Sequence, residues 1–74
     1  MQNWQQYIEM NPEVRSGKPC FKGTRIAVVD VLSYLASGMT IGEIVNDFPQ
    51  LNHDKILAAL SFAAHRESII QMTV

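Results

Sequence analysis

"GMTIGEIVNDFPQLNHDKILAAL", residues 38–60, decides how this chain folds. Gly38 is a natural helix stop, because glycine tolerates the left-handed backbone in which many helices end. Thr40 and Glu43 stand in the spacing of a capping box, where a hydroxyl and a carboxylate satisfy the first free amides of a helix. Ile41, Ile44, Val45 and Phe48 then recur on one helical face, and Pro49 ends the run because it has no amide hydrogen to donate. Asn52 is placed to cap a further helix that begins near His53 and runs to about Ile70. A capped helix, a short break and a second capped helix form the outline of a helix-turn-helix.

The same periodicity extends upstream. Val28, Val31, Leu32, Leu35 and Ala36 share one face, so residues 28–70 read as three helices. The last is apolar nearly all round, from Ile56, Leu57, Ala58, Ala59 and Leu60 through Phe62, Ala63 and Ala64. A helix of that kind is buried on more than one side. In so small a domain the second side calls for a second subunit, so a homodimer or a tight complex is expected through Leu57, Leu60, Phe62, Ala64, Ile69 and Ile70. Ala58, Ser61 and His65 are read as the stripe that faces outward.

Upstream of the helices, "GKPCFKGTRIAV" (residues 17–28) reads as a β-hairpin. Lys22, Gly23, Thr24 and Arg25 make the tight turn, with glycine at the first central position of a type II′ turn. Phe21 then faces Ile26 on the core side, and Lys22 faces Arg25 on the other. Like charges opposite one another are unfavourable unless that face is solvated or meets an anion. The segment of residues 7–10 is a short strand as well, and "NPEV" after it leaves room for a single helical turn before Gly17. The expected architecture is mainly α: a three-helix, helix-turn-helix-like region (28–70) behind a short N-terminal β-hairpin region (8–27), in one domain spanning 1–74.

With 74 residues and a hydrophobic fraction of 47%, the chain supports one marginal core, which an efficient interior or a partner subunit must complete. A single cysteine makes no internal disulfide, and with two histidines it falls short of a structural zinc site, so neither metal nor cofactor is expected. Cys20 reads as a small, half-buried side chain. The polar start, the absence of a membrane-length apolar run and the lone thiol point to the cytoplasm, with no membrane partner. The net charge is −1, but Arg15, Lys18, Lys22 and Arg25, four of the six cations, fall within a stretch that holds no acid. Such clustering makes a positive patch on a neutral protein.

Catalysis has little to stand on. Ser33, Ser37, Ser61, Cys20, His53 and His65 show no spacing that links a nucleophile to a base, and Glu43 with Asp47 reads as a solvated helix face. The glycines and lysines near Gly17 and Gly23 are out of order for a phosphate-binding loop. An enzyme is therefore not expected. In a helix-turn-helix the second helix brings its first residues to base edges in the major groove. Asn52, His53 and Lys55 hold those positions, while Lys18, Lys22 and Arg25 are placed to contact phosphates. Asp54 opposes a polyanion, and Asn52 as a plain cap accounts for the same residue without DNA.

Asn-Pro-Glu-Val (11–14), Gly-Lys-Pro (17–19), Gly-Thr-Arg-Ile (23–26), Leu-Ala-Ser-Gly-Met (35–39) and Ile-Val-Asn-Asp-Phe-Pro-Gln-Leu (44–51) form a specific combination. Over roughly residues 8–65 it resembles the small bacterial family catalogued as domain of unknown function four-three-three. That family is grouped with helix-turn-helix domains, and some members resemble, or are fused within, VapB-type antitoxins encoded beside a toxin with a PIN-like ribonuclease fold. The resemblance implies a DNA-binding antitoxin that represses its own operon and binds a PIN-like toxin, with residues 68–74 as one segment to offer that toxin. It carries no active-site residues. Resolvase-like helix-turn-helix units place glycine in the break, whereas Pro49, Gln50 and Leu51 lengthen it here. A protein-interaction adaptor that binds no DNA is the alternative.

Overall fold

A computed structural model describes residues 3–73, with side chains described through Arg66. The chain opens with a 3₁₀ turn (Trp4–Gln6) and a two-residue strand β1 (Ile8–Glu9). A second short turn (Arg15–Gly17) leads to strand β2 (Cys20–Phe21), then to helices α1 (Val28–Ala36), α2 (Ile41–Asp47) and α3 (His53–Thr73). The architecture is mainly helical with a two-stranded antiparallel N-terminal element, as the sequence patterning leads one to expect.

The strand pairing has more to it than the expected hairpin. β1 pairs with β2, Ile8 opposite Phe21 and Glu9 opposite Cys20. On its other side β2 meets the segment before α1: Phe21 N–H donates to Ile26 O at 3.0 Å, and Cys20 bridges to Ala27. The Phe21–Ile26 register is therefore as read, but the segment forms only an isolated bridge, at Ala27, and Ile26 belongs to no strand. The turn also sits one residue earlier than expected. Thr24 N–H closes on Phe21 O at 3.0 Å, and Gly23 takes φ +76 at the second central position, the place where a type II turn demands positive φ. Thr24 locks the bend by donating its hydroxyl to Phe21 O and accepting Ile26 N–H. Because β2 is covered on both faces, Cys20 is fully buried, not half-buried.

The helix ends follow local chemistry. α1 ends in a Schellman motif: Met39 N–H reaches Tyr34 O and Gly38 N–H reaches Leu35 O, with Gly38 at φ +105. Thr40 Oγ1 accepts Glu43 N–H at 3.1 Å and Glu43 Oε1 accepts Thr40 N–H at 2.9 Å, which completes the capping box of α2. Donation from the Thr40 backbone amide, and next from the Thr40 hydroxyl, holds the Glu43 carboxyl below its ordinary range. Asn52 Oδ1 accepts Lys55 N–H at 2.8 Å and caps α3.

The core lies where the three helices close over β2. Phe21, Val31, Ile44 and Ile56 have no exposed surface, and Leu51, Ala58, Ala59 and Phe62 join them. Each large apolar side chain so buried contributes about 1.5–3 kcal/mol against the cost of ordering the chain. The rings of Tyr34 and Phe48 stack at 5.5 Å and fix the start of the break against α1. At the other side Trp4 stacks on Phe62 at 4.8 Å, so the N-terminal turn packs on this domain. One reading of α3 is reversed. Ala58 and Ser61 are buried, not outward, and the described residues of α3 that face solvent are His53, Asp54, Leu60, Ala64, His65 and Arg66.

Candidate functional site

The first turn of α3 is presented by the break before it. Phe48 ends α2, Leu51 turns back with its N–H on Phe48 O, and its side chain is buried, so the chain re-enters as a helix with Asn52, His53 and Asp54 exposed. The polar groups there are partly engaged. Asn52 uses Oδ1 for the cap, and Lys55 folds its ammonium back onto Gln50 O at 2.7 Å. The cap leaves the amide N–H donors of Asn52 on the other side of the same plane. Thus Asn52, His53 and Lys55 come together at one end of α3.

The hairpin cations are held elsewhere. Arg15, Ser16 and Gly17 all take positive φ (49, 59 and 80), a left-handed turn that costs a non-glycine residue roughly 1–2 kcal/mol. The turn aims the Arg15 guanidinium at Asp30 Oδ2, 2.7 Å away, and at Arg25 O, 3.2 Å away. The hydrogen bond to Asp30 and its charge keep Arg15 protonated even more firmly than usual. Asp30 also accepts Ala27 N–H, so one carboxylate joins the left-handed turn, the hairpin and the start of α1. Arg15 is therefore an internal clamp and not a free member of the cationic cluster. Its sequence signal was weak: only its proximity to glycine and an aspartate fifteen residues on. Lys18, Lys22 and Arg25 remain exposed.

Lys18 does not join the start of α3. It lies beside the later part of that helix, on the rim of a groove of about 310 Å³. The walls are Pro19, Val29 and Leu32 on one side and Phe62, Ala63 and Arg66 on the other. A second hollow of about 420 Å³ continues past Phe62 to Trp4, Met10 and His65. Val29 and Met10 are 50% and 56% exposed on this surface, and the Arg66 guanidinium sits 5.7 Å from the centre of the Phe62 ring. Sequence reasoning missed this groove, because its walls come from separate segments and its residues look like core.

The partner-facing residues of α3 divide as well. Leu60 is 42% exposed, with Leu57 half-buried and Ala64 exposed along one stripe, whereas Phe62, at 4%, is buried within the chain's own core. The side chains of Ile69 and Ile70 lie outside the described residues, as do those of the 68–74 segment. Among the described residues there is no cluster of three or more histidine, cysteine or acidic side chains able to hold a metal, and no helix is long and apolar enough to cross a membrane.

Residues 8–63 match the model of the family described as "Protein of unknown function (DUF433)". The chain belongs to the DUF433 family. The crystal structure of a DUF433 member from Anabaena variabilis superposes with a TM-score of 0.80 at 25% identity, over 93% of this chain and 68% of that one. "Uncharacterized protein y4eO" of Sinorhizobium fredii is 30% identical over 56 residues, which are 76% of this chain. The matched part of the chain spans a quarter of the length of that relative. The family match ends at residue 63, just past Phe62, and so covers the whole break between α2 and α3.

Proposed function

We propose that this DUF433 protein is a DNA-binding, antitoxin-like member of a toxin–antitoxin pair, which represses its own operon and binds a PIN-like toxin. The observation that carries the DNA-binding part is the exposed first turn of α3, set off from a capped α2 by a rigid, core-anchored break. That is the end of a recognition helix that approaches base edges. The Asn52 amide has N–H donors to offer an adenine N7, and Lys22 and Arg25, both exposed, supply phosphate contacts. A two-fold dimer through the Leu57, Leu60 and Ala64 stripe would present two such helices to a palindromic operator. The link to a toxin rests on the family resemblance alone.

The test is a mobility shift of the DNA upstream of the gene across a salt series. Binding is expected to weaken with salt, and the double substitution Lys22→Ala, Arg25→Ala to reduce the log–log slope by about 0.9 per lost phosphate contact. No shift at low salt would sink the DNA reading. A second reading, a protein-docking module without DNA binding, is supported by the apolar groove between α1 and α3 with its exposed Val29 and Met10. It predicts tight association with a partner protein that is indifferent to Lys22→Ala and Arg25→Ala.

A further inference from the structure

Around the α1–α3 groove the charged and apolar groups are sorted. Its floor and walls are Pro19, Val29, Leu32 and Phe62, and the charged side chains on its rim are Lys18 and Arg66, with His65 beyond. No carboxylate is among the described residues that line either hollow. Among the described residues no ion pair neutralises the cationic rim; the pair formed nearby, Arg15 with Asp30, belongs to the clamp. The groove is also continuous with an exposed methionine, a side chain that adapts its shape to different apolar partners.

We propose that this groove docks an acidic amphipathic segment of another protein, one that lays a few aliphatic or aromatic side chains on the apolar floor and places carboxylates against Lys18 and Arg66. The inference rests on the protein-docking reading and deepens it. Three physical points select this occupant. A DNA backbone would satisfy the two cations but leave Val29, Leu32 and Met10 facing charged phosphates. A second copy arranged about a two-fold axis through the groove would bring Lys18 and Arg66 against their own equivalents. An acidic amphipathic segment meets both halves of the surface at once, apolar anchors for area and carboxylates for charge. The left-handed turn at Arg15 and Ser16 serves this surface, because it launches Lys18 and Pro19 directly onto the rim.

A random peptide library displayed on phage and selected against the full chain tests the proposal. Enriched sequences are expected to combine aspartate or glutamate with aliphatic or aromatic residues. A synthetic peptide of the enriched sequence should lose about tenfold or more in affinity to the Val29→Arg variant, since a charge then stands on the groove wall. The double variant Lys18→Glu, Arg66→Glu should likewise reject it and accept the same peptide with its acids changed to lysine. All three positions are exposed, so the variants should keep the wild-type circular dichroism and melt. Enrichment without acidic preference, affinity indifferent to Val29→Arg, or no enrichment would overturn the proposal. So would sedimentation showing a dimer that Val29→Arg converts to monomer, because a second copy would then cover the groove. The docking reading fails separately, if no protein, the product of the adjacent gene included, copurifies with the full chain; a product that copurifies equally with wild type and Val29→Arg keeps docking and removes only the groove.

Discussion

The two ends of α3 make a useful contrast. At the start, the polar residues are drawn into local bonds: Asn52 caps the helix and Lys55 ties down Gln50. Near Phe62, Lys18 and Arg66 are exposed on a rim and apolar side chains are left in the open. The first end is what a helix-turn-helix pattern advertises. The second is built by tertiary packing and looks more like a protein-binding surface. The comparison teaches that a residue's availability depends on what its neighbours already need from it. A polar side chain at a helix start has local work to do, while one beside a groove does not.

The largest expected effect breaks the contrast at its apolar end. Phe62→Ala removes the groove floor and the ring on which Trp4 stacks, and should destabilise the chain by about 3–5 kcal/mol. Urea denaturation measures it. A loss below about 1 kcal/mol would mean that this end is not anchored to the core.

At the other end, Asn52→Ala should cost about 1 kcal/mol through the lost cap. Asn52→Asp separates the two roles of that residue. It keeps a capping oxygen, so the melting temperature should hold, but it removes the amide donors, so operator binding should fall. Retained DNA affinity in Asn52→Asp would show that the residue only caps.

The start of α2 gives a control with a titratable partner. The folded-state pKa of Glu43 is depressed, so its contribution is present above the usual glutamate value of 4.5 and is lost as the pH falls through its lower folded value. Glu43→Gln should therefore flatten the acid side of the stability profile below about pH 4.5 and leave the slope near neutrality unchanged. Stability measured by chemical denaturation at stepped pH checks this, and an unchanged acid limb would rule it out.

The smallest effect concerns the turn that feeds the groove. Ser16 holds φ 59 with ψ 35, so Ser16→Gly relieves side-chain strain but adds freedom to the unfolded chain. The net gain should be no more than about 1 kcal/mol. A loss of stability would mean that the serine side chain holds the turn.

Much of this fold was legible because its signals are local. Thr40 with Glu43, Gly38, Pro49 and Asn52 act within one helical turn of their own positions, and each boundary they mark falls where expected. The hairpin turn slipped by one residue because glycine suits either central position, and the choice fell to Thr24 and its two hydrogen bonds. The outward stripe of α3 was misread because alanine and serine give no directional signal on a helix apolar all round. Ala58 and Ser61 turned inward to let α1 and α2 approach.

By itself, then, the sequence determined where helices begin and end, since capping and termination depend on backbone groups a few residues away. It also determined the family, through motifs spread from Asn11 to Leu51. Only the tertiary structure decided which side chains are free. Packing set Arg15 against Asp30 across fifteen residues, sent Phe62 into the core, and brought Lys18 to Arg66 at a groove that no contiguous stretch encodes. The reason is physical: burial and ion pairing depend on distance in space, and the folded chain is the first place where that distance exists.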